Sequence, residues 1–497
     1  MLSGFLVGFS AMLTPQSLFL MVAGVFVGII FGSIPGLTST MAIALCLPMT
    51  YTMDIIPSMA LLCAIFIGGI SGGLIPAILI NVPGTPSSIA TCFDGHPMAQ
   101  RGEAGRAMGI GVLYSFLGCI VSMLALFFIS PQLARVAIKF GPYEYFGVAV
   151  FSLTLIASLS KQNMAKGLIS GLLGMAFAFV GPAPIDAFPR YTFGMSGLNG
   201  GFNLLTALIG LFAISEIIKE ARYAQTDKKQ YCAVKVRGFG VTLHDFKEQF
   251  VNFIRSSVIG IAMGILPGVG GSTSSVLAYM VAKNSSSHPK DFGTGIIDGI
   301  VASESANNAT IGGAMIPLLT LGIPGESTTA MLLGAFMIHG LTPGPLLFEK
   351  NGDVVYAIFA ALIISNVVML VMEFYGLKLF AKLLLIPKYI LLPVVFALCV
   401  VGAFGLNNRI FDVWTVLFFG LVGFALDEFD YPSAPIILGF ILGPIAETNL
   451  RSGLMLTNGS FLPFLKRPIC LVFLLAAVIS VIITVLSQLK TLKRKSI

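Results

Sequence analysis

Long apolar runs broken at matching places by Pro-Gly pairs give this chain its pattern. In the first half the runs are Ser17 to Phe31, Ile56 to Ile80, Ala104 to Ile129, Tyr145 to Leu159, Gly167 to Val180 and Phe202 to Ile218. In the second they are Phe253 to Leu266, Ile296 to Leu321, Val354 to Leu377, Ile390 to Phe404, Val413 to Leu426, Ile436 to Ile445 and Ile469 to Leu489. A helix that crosses a bilayer needs about 17 to 25 such residues. Several runs are shorter. With the stretches after each break counted as half-helices or hairpins, the pattern predicts roughly a dozen crossing helices.

The breaks are duplicated. Gly32-Ser33-Ile34-Pro35-Gly36-Leu37-Thr38-Ser39-Thr40 returns as Gly264-Ile265-Leu266-Pro267-Gly268-Val269-Gly270-Gly271-Ser272, an offset of 267 − 35 = 232. Ile75-Pro76 and Val82-Pro83-Gly84 return as Ile316-Pro317 and Ile323-Pro324-Gly325, an offset of 324 − 83 = 241. Weaker matches pair Leu133-Ala134-Arg135 with Phe380-Ala381-Lys382, and Gly171 to Gly174 with Gly420 to Gly423. Order is kept and the offset drifts one way, as small insertions produce. The chain reads as a first repeat over 1–218, a basic linker over 219–252, a second repeat over 253–460, and an extra terminal helix with a basic tail over 461–497.

Composition agrees with the pattern. Of 497 residues 56% are hydrophobic and 10% charged, with a mean hydropathy of +0.94, against about 25% charged in soluble domains. The fold class expected is an all-α polytopic membrane protein of two homologous halves. The net charge of +7 sits mainly in Lys219, Arg222, Lys228, Lys229, Lys235, Arg237, Lys247 and Arg255, and in Lys490, Lys493, Arg494 and Lys495. Basic loops are retained on the cytoplasmic side, so this is a topology signal and not a nucleic-acid surface, with linker and C-terminus cytoplasmic. No basic region or cleavage-like site marks the first run as a removable signal. Cys46, Cys63, Cys92, Cys119, Cys232, Cys399 and Cys470 lack ligand spacing and read as small hydrophobes.

Charges at equivalent positions have opposite sign. Arg101 and Arg106 stand against Glu349, Lys350 and Asp353; Asp186 and Arg190 stand against Asp427, Glu428 and Asp430. That is the mark of inverted repeats, whose matching loops lie on opposite sides.

A backbone that leaves the helix within a membrane must be buried in protein or line a watery cavity. Four segments qualify: Pro35 to Thr40, Asn81 to Ser88, Pro267 to Ser275 and Pro324 to Thr329. In each, Pro-Gly ends one helix and hydroxyl residues cap the next, which aims free N–H groups and a positive helix end into the gap. Such ends suit carboxylates, and broken-end carbonyls suit Na⁺. The plainer alternative is a helix kink packed through small residues. Pro35, Gly36, Thr38, Ser39, Thr40, Pro267, Gly268, Gly270, Gly271, Ser272, Thr273 and Ser274 are the candidate substrate ligands. Asn81, Gly84, Thr85, Glu304, Asn307, Asn308, Gly325 and Thr328 are the candidate cation ligands. Glu304 is ionisable within an apolar run, which marks a cation ligand, a proton carrier or a packing lock; Glu326 carries the same ambiguity. His96 and His339 lack partners at metal-ligand spacing, so no transition-metal centre is expected. No Lys follows the glycines as a phosphate loop requires, and no enzymatic constellation is expected. A passive anion channel and a lipid-handling or structural membrane protein stand as alternatives to coupled transport.

The motifs Asn81 to Ser88, Asp94-Gly95-His96-Pro97-Met98-Ala99, Gly102 to Ala107, Glu304-Ser305-Ala306-Asn307-Asn308-Ala309, Pro317 to Gly325 and His339 to Pro345 resemble those of the large membrane subunit of the tripartite tricarboxylate transporters. The resemblance spans nearly the whole chain. It implies a bacterial inner-membrane secondary transporter with a small membrane subunit of about four helices and a periplasmic solute-binding protein that delivers a carboxylate such as citrate. It also implies drive by a cation gradient, commonly Na⁺, no further cofactor, and an elevator-like movement. One departure is internal: Gly270-Gly271 stands where the first half has Thr38-Ser39, so the two ends of the site differ chemically, and which one takes substrate stays open.

Overall fold

The computed structural model describes residues 2–159, 164–223, 240–383 and 388–495 and is almost wholly helical. The first half comprises α1 (Leu2–Met12), α2 (Pro15–Ser33), α3 (Ser39–Cys46), α4 (Ile55–Gly72), α5 (Leu74–Ile80), α6 (Ile89–Met98), α7 (Ala104–Ala137), α8 (Pro142–Leu159), α9 (Met164–Ala178), α10 (Leu204–Ile209) and α11 (Ser215–Tyr223). The second comprises α12 (Leu243–Ile265), α13 (Gly270–Ser285), α14 (Ile297–Leu321), α15 (Ser327–Ile338), α16 (Pro345–Lys350), α17 (Gly352–Leu383), α18 (Lys388–Asn407), α19 (Ile410–Glu428) and α20 (Ser433–Met455). The short α21 (Leu462–Lys466) and long α22 (Pro468–Lys495) follow.

Eight helical stretches among the described residues are long and apolar enough to cross a membrane, fewer than the dozen expected. The Pro-Gly breaks cut apolar runs into pieces such as α3 and α15, and α14, though 25 residues long, carries Glu304, Asn307 and Asn308 among its apolar residues. The polar stretch 219–252 is not wholly a loop. Its start completes α11, and its end opens α12 through a capping box in which Thr242 and Asp245 satisfy each other's backbone N–H. Lys228, Lys229, Cys232, Lys235 and Arg237 lie outside the described residues.

Equivalent helices pack alike. α2 lies along α4 and α12 along α14, while α7 runs beside α14 and α17 beside α4. Small residues set the approach: a Cβ on Gly28 would sit 2.5 Å from the Ile65 carbonyl, and one on Gly313 2.6 Å from the Ile261 carbonyl. At the broken ends the halves exchange partners. α3 meets α15, and α13 meets α6 and the 3-10 turn Pro86–Ser88.

A second layer holds α8, α9, α20 and α22, and α10–α11 against α19. α10, a π-helical turn at Gly210–Ile214 and α11 run on from 204 to 223, about 30 Å at 1.5 Å per residue. The small hairpin of β1 (Gly181–Pro182) and β2 (Pro189–Arg190) therefore lies at the opposite end from Lys219. The C-terminal half of α20 reaches that hairpin through Arg190 Nη1 to Glu447 Oε1 at 2.6 Å and Arg190 Nη2 to Oε2 at 3.1 Å. α22 then starts from the hairpin end and runs back.

Candidate functional site

Pro35 and Gly36 end α2, and Gly36 takes φ +91°, a conformation that costs glycine little. Thr38 caps α3 by accepting the Met41 N–H at 3.2 Å. The matching turn in the second half places Gly268 at φ +79°, and its N–H donates to the Gly325 carbonyl at 2.7 Å. Thr329 Oγ1 accepts the Glu326 N–H at 3.0 Å where α15 begins.

These three turns and the Asn81 to Ser88 segment, through Thr85 and Ser87, converge on one cavity of about 380 Å³. Thr38, Ser39, Thr40, Thr85, Ser87, Gly268, Gly270, Gly271, Ser272, Glu326 and Thr328 line it. The hydroxyl of Thr328 lies 3.3 Å from that of Ser39 and 3.0 Å from that of Thr40; Thr85 and Ser87 hydroxyls are 2.9 Å apart. Candidate substrate and candidate cation ligands are thus interleaved. The far wall comes from α11 and its π-helical turn, through Leu211, Phe212, Ser215, Glu216 and Lys219, with Asp427 and the start of α20. Lys219 Nζ is 3.7 Å from Glu216 and 4.0 Å from Asp427. Buried Ser87 and Thr85 mark the inner end of the cavity, and half-exposed Lys219 its outer end.

Other candidates stand off from the cavity. Asn81 is exposed, in a left-handed C-cap of α5 at φ 54°, so its side chain does not join the ion ligands proposed from sequence. Gly84 serves packing, since a Cβ there would press on the Pro76 ring at 2.7 Å. Pro35, Gly36, Pro267 and Gly325 shape the turns without lining the space, and Thr273 does not line it either. Ser274 turns inward and donates to the Ala306 carbonyl at 3.3 Å.

Glu304 and Asn308 belong to a separate buried cluster. Glu304 accepts from the Thr91 hydroxyl, from Ser115 at 2.9 Å and from Asn308 Nδ2 at 3.3 Å, which ties α14 to α6 and α7. Asn307, one residue away, faces the cavity wall instead. A Cβ on Gly271 would lie 2.7 Å from its Oδ1, and its side chain also lies within bonding reach of the Glu304 carboxylate.

Sequence reasoning missed the α11–α20 wall, whose residues are ordinary for an amphipathic helix. It also missed Glu373, which is fully buried and accepts from Ser71 at 2.7 Å with its other oxygen unpartnered; an acid inside the apolar run Val354 to Leu377 was the available signal. Asp94 has a structural role. Its Oδ1 accepts the N–H groups of Gly293, Gly295 and Ile296 at 2.9, 2.8 and 3.1 Å, and Oδ2 accepts the Tyr279 hydroxyl at 2.8 Å, pinning the turn that precedes α14.

A second cavity, about 350 Å³, lies at the other end of the same helices, lined by Tyr51, Asn203, Leu204, Leu205, Gly334, Met337, Ile338, Leu406 and Asn407. α15 contributes Ala330 to the first cavity and Gly334 to the second; the α10–α11 column contributes Leu211 and Leu205 respectively.

Residues 18–438 match the Tripartite tricarboxylate transporter TctA family. An uncharacterized 52.8 kDa protein in the TAR-I ttuC' 3' region of Agrobacterium vitis is 34% identical over 496 residues, covering 100% of this chain and 98% of the relative. An uncharacterized protein in the TAR-II ttuC' 3' region of the same organism is 35% identical over 232 residues, 47% of this chain and 96% of its own length. No solved structure matches. With a family match over most of its length and a full-length relative, this chain belongs to the TctA family of tripartite tricarboxylate transporters.

Proposed function

We propose that this chain is the large subunit of a secondary transporter that imports a tricarboxylate or related carboxylate across the bacterial inner membrane, driven by a cation gradient, with Na⁺ as the coupling ion. The observation that carries the reading is the meeting of all four Pro-Gly turns at one cavity, where the starts of α3, α13 and α15 present N–H groups and hydroxyls. Helix N-termini attract carboxylates, and irregular backbone supplies oxygen to Na⁺.

The exchange of partners between α3 and α15, and between α13 and α6, supports two inverted halves over 1–218 and 253–460, with a terminal helix beyond. If the basic segments are cytoplasmic, the cavity faces inward through Lys219, and the β1–β2 hairpin faces the periplasm. The alternating state would come from an elevator-like shift of the broken-helix region against the α8–α11 and α18–α20 layer. A small membrane subunit of about four helices and a periplasmic binding protein complete the system in this reading.

Uptake of radiolabelled citrate into proteoliposomes holding this chain and its small partner, with binding protein outside, tests it. Accumulation requiring both an inward Na⁺ gradient and the binding protein is expected. Flux without either would favour a channel; failure with every carboxylate under every gradient would favour a lipid-handling or structural role.

A further inference from the structure

The two ends of the cavity differ by one charge. At the first-half end Thr38, Ser39, Thr40, Thr85 and Ser87 are all neutral hydroxyls. At the second-half end the position equivalent to Thr85, by 326 − 85 = 241, is Glu326. Its Oε2 lies 3.4 Å from the Gly271 N–H at the start of α13, and a Cβ on Gly270 would sit 3.0 Å from the same oxygen. Thus the glycines in place of Thr38 and Ser39 leave the room that this carboxylate uses. One of the two helix ends that the sequence offered to substrate is already occupied by an acid of the chain itself.

Oxygen at this spot is in excess. Glu326 Oε1 is buried with no hydrogen-bond partner. Beside the same glycines stands Asn307, fully buried, its side chain within bonding reach of the Glu304 carboxylate and its Oδ1 next to Gly271. Buried polar atoms left unpaired are rare and call for an explanation. Among the described residues around the cavity, Glu216, Glu326 and Asp427 face one cation, Lys219, which is already shared between Glu216 and Asp427. A polycarboxylate entering beside an ionised Glu326 meets strong like-charge repulsion in a partly desolvated space. A monovalent cation on Glu326 removes that repulsion and satisfies the orphaned Oε1.

We infer that Glu326 and Asn307, flanking Gly270–Gly271, form a binding site for a monovalent cation, and that the substrate carboxylate takes the hydroxyl end at Thr38–Thr40 and Thr85–Ser87. Cation and anion then occupy opposite ends of one cavity, so each favours the other, which is the linkage that coupling requires. The assignment rests on the transport reading for its substrate half and on the geometry alone for its cation half. The other charged groups of the described residues facing this space are Glu216 and Lys219 on α11 and Asp427 on α19; Glu220 adjoins Gly36 at its edge, and Glu304 on α14 bonds Thr91 and Ser115 and also reaches the Asn307 side chain.

Binding of ²²Na⁺ to the purified full chain in detergent, with choline as the replacement ion, tests the cation half without any substrate. Saturable binding is expected in the wild type, weakened at least about tenfold by Glu326→Gln and by Asn307→Ala, partly kept by Glu326→Asp, and unchanged by Glu373→Gln. If the cation is a proton, the wild type retains no ²²Na⁺ but its melting midpoint shifts with pH above the acid range in which Asp245 titrates, and Glu326→Gln abolishes that part of the shift. Wild-type ²²Na⁺ and pH responses in folded Glu326→Gln overturn the proposal; should that variant elute as aggregate, undiminished responses in Asn307→Ala overturn it. Intact cation binding with no uptake of any carboxylate under any gradient would instead remove the transport reading and leave the cation site standing.

Discussion

The Thr40 hydroxyl lies 3.0 Å from the Thr328 hydroxyl, 288 residues further along the chain. One comes from the first broken helix of the first half and the other from the second broken helix of the second half, so this contact closes the cavity across the two halves. Thr40→Val and Thr328→Val should each lower citrate uptake, and a double-mutant cycle on melting should return a coupling of about 0.5 to 1.5 kcal/mol, the net worth of one hydrogen bond. Additive losses would mean that the hydroxyls act separately.

Gly271→Ala places a methyl group 2.7 Å from Asn307 Oδ1 and 2.9 Å from the Ser87 Cβ. Uptake should fall at least about tenfold, equivalent to about 1.4 kcal/mol. Gly405→Ala in α18, where a Cβ meets nothing within 4 Å, should leave uptake unchanged. The paired measurement separates crowding of the cavity from a general effect of adding a methyl group.

Asp94 is fully buried and takes three N–H bonds and one O–H bond. Asp94→Asn can keep an oxygen on the three N–H groups but removes the charge from those bonds and sets an NH2 against the Tyr279 hydroxyl, and should cost about 3 kcal/mol, in line with bonds to a charged group. Tyr279→Phe should cost about 1 kcal/mol. Equal losses in thermal melts of the two variants would contradict the assigned roles.

At the polar start of α12, Asp245 is held below the usual carboxylate range. Burial pushes its carboxyl up, but the Thr242 N–H and hydroxyl and the Arg106 guanidinium at 2.9 Å outweigh it. A depressed carboxylate contributes stability that is present above its unfolded value and lost as pH falls through its folded value. Melting temperature should therefore decline on acidification below the ordinary Asp range, and Asp245→Asn should lower the neutral-pH melt while flattening that decline. A variant with the wild-type acid slope would refute the assignment.

Ser272 lines the cavity and is partly exposed. On a background with the native cysteines replaced, Ser272→Cys should react with a membrane-impermeant thiol reagent applied from the side bearing the end of α11, and substrate should protect it. Reaction from the hairpin side alone would reverse the sidedness.

The sequence made the membrane class and the four meeting turns legible because both rest on local rules. Apolar runs report their own environment, and a Pro-Gly break followed by hydroxyls is expensive in lipid unless something gathers it. The wall opposite the turns was not legible, since Leu211, Ser215, Glu216 and Lys219 would suit any amphipathic helix and only tertiary packing brings them there. Asn81 misled because its side chain type suits an ion, whereas its left-handed backbone makes it an exposed cap. Glu304 and Asn307, three residues apart on α14, share one side of the helix and touch each other; only the structure shows that Glu304 reaches on to Thr91 and Ser115 and Asn307 to Gly271.

The barrier between the two cavities is thin. From Ala330 to Gly334 on α15 is four residues and from Leu211 to Leu205 on the α10–α11 column six, so about 6 to 9 Å of packed side chain parts them. With water in both cavities, the transmembrane voltage falls across that slab instead of the full bilayer. A charge that passes it crosses most of the field, about 2.3 kcal/mol per 100 mV, in little more than the length of one lysine side chain.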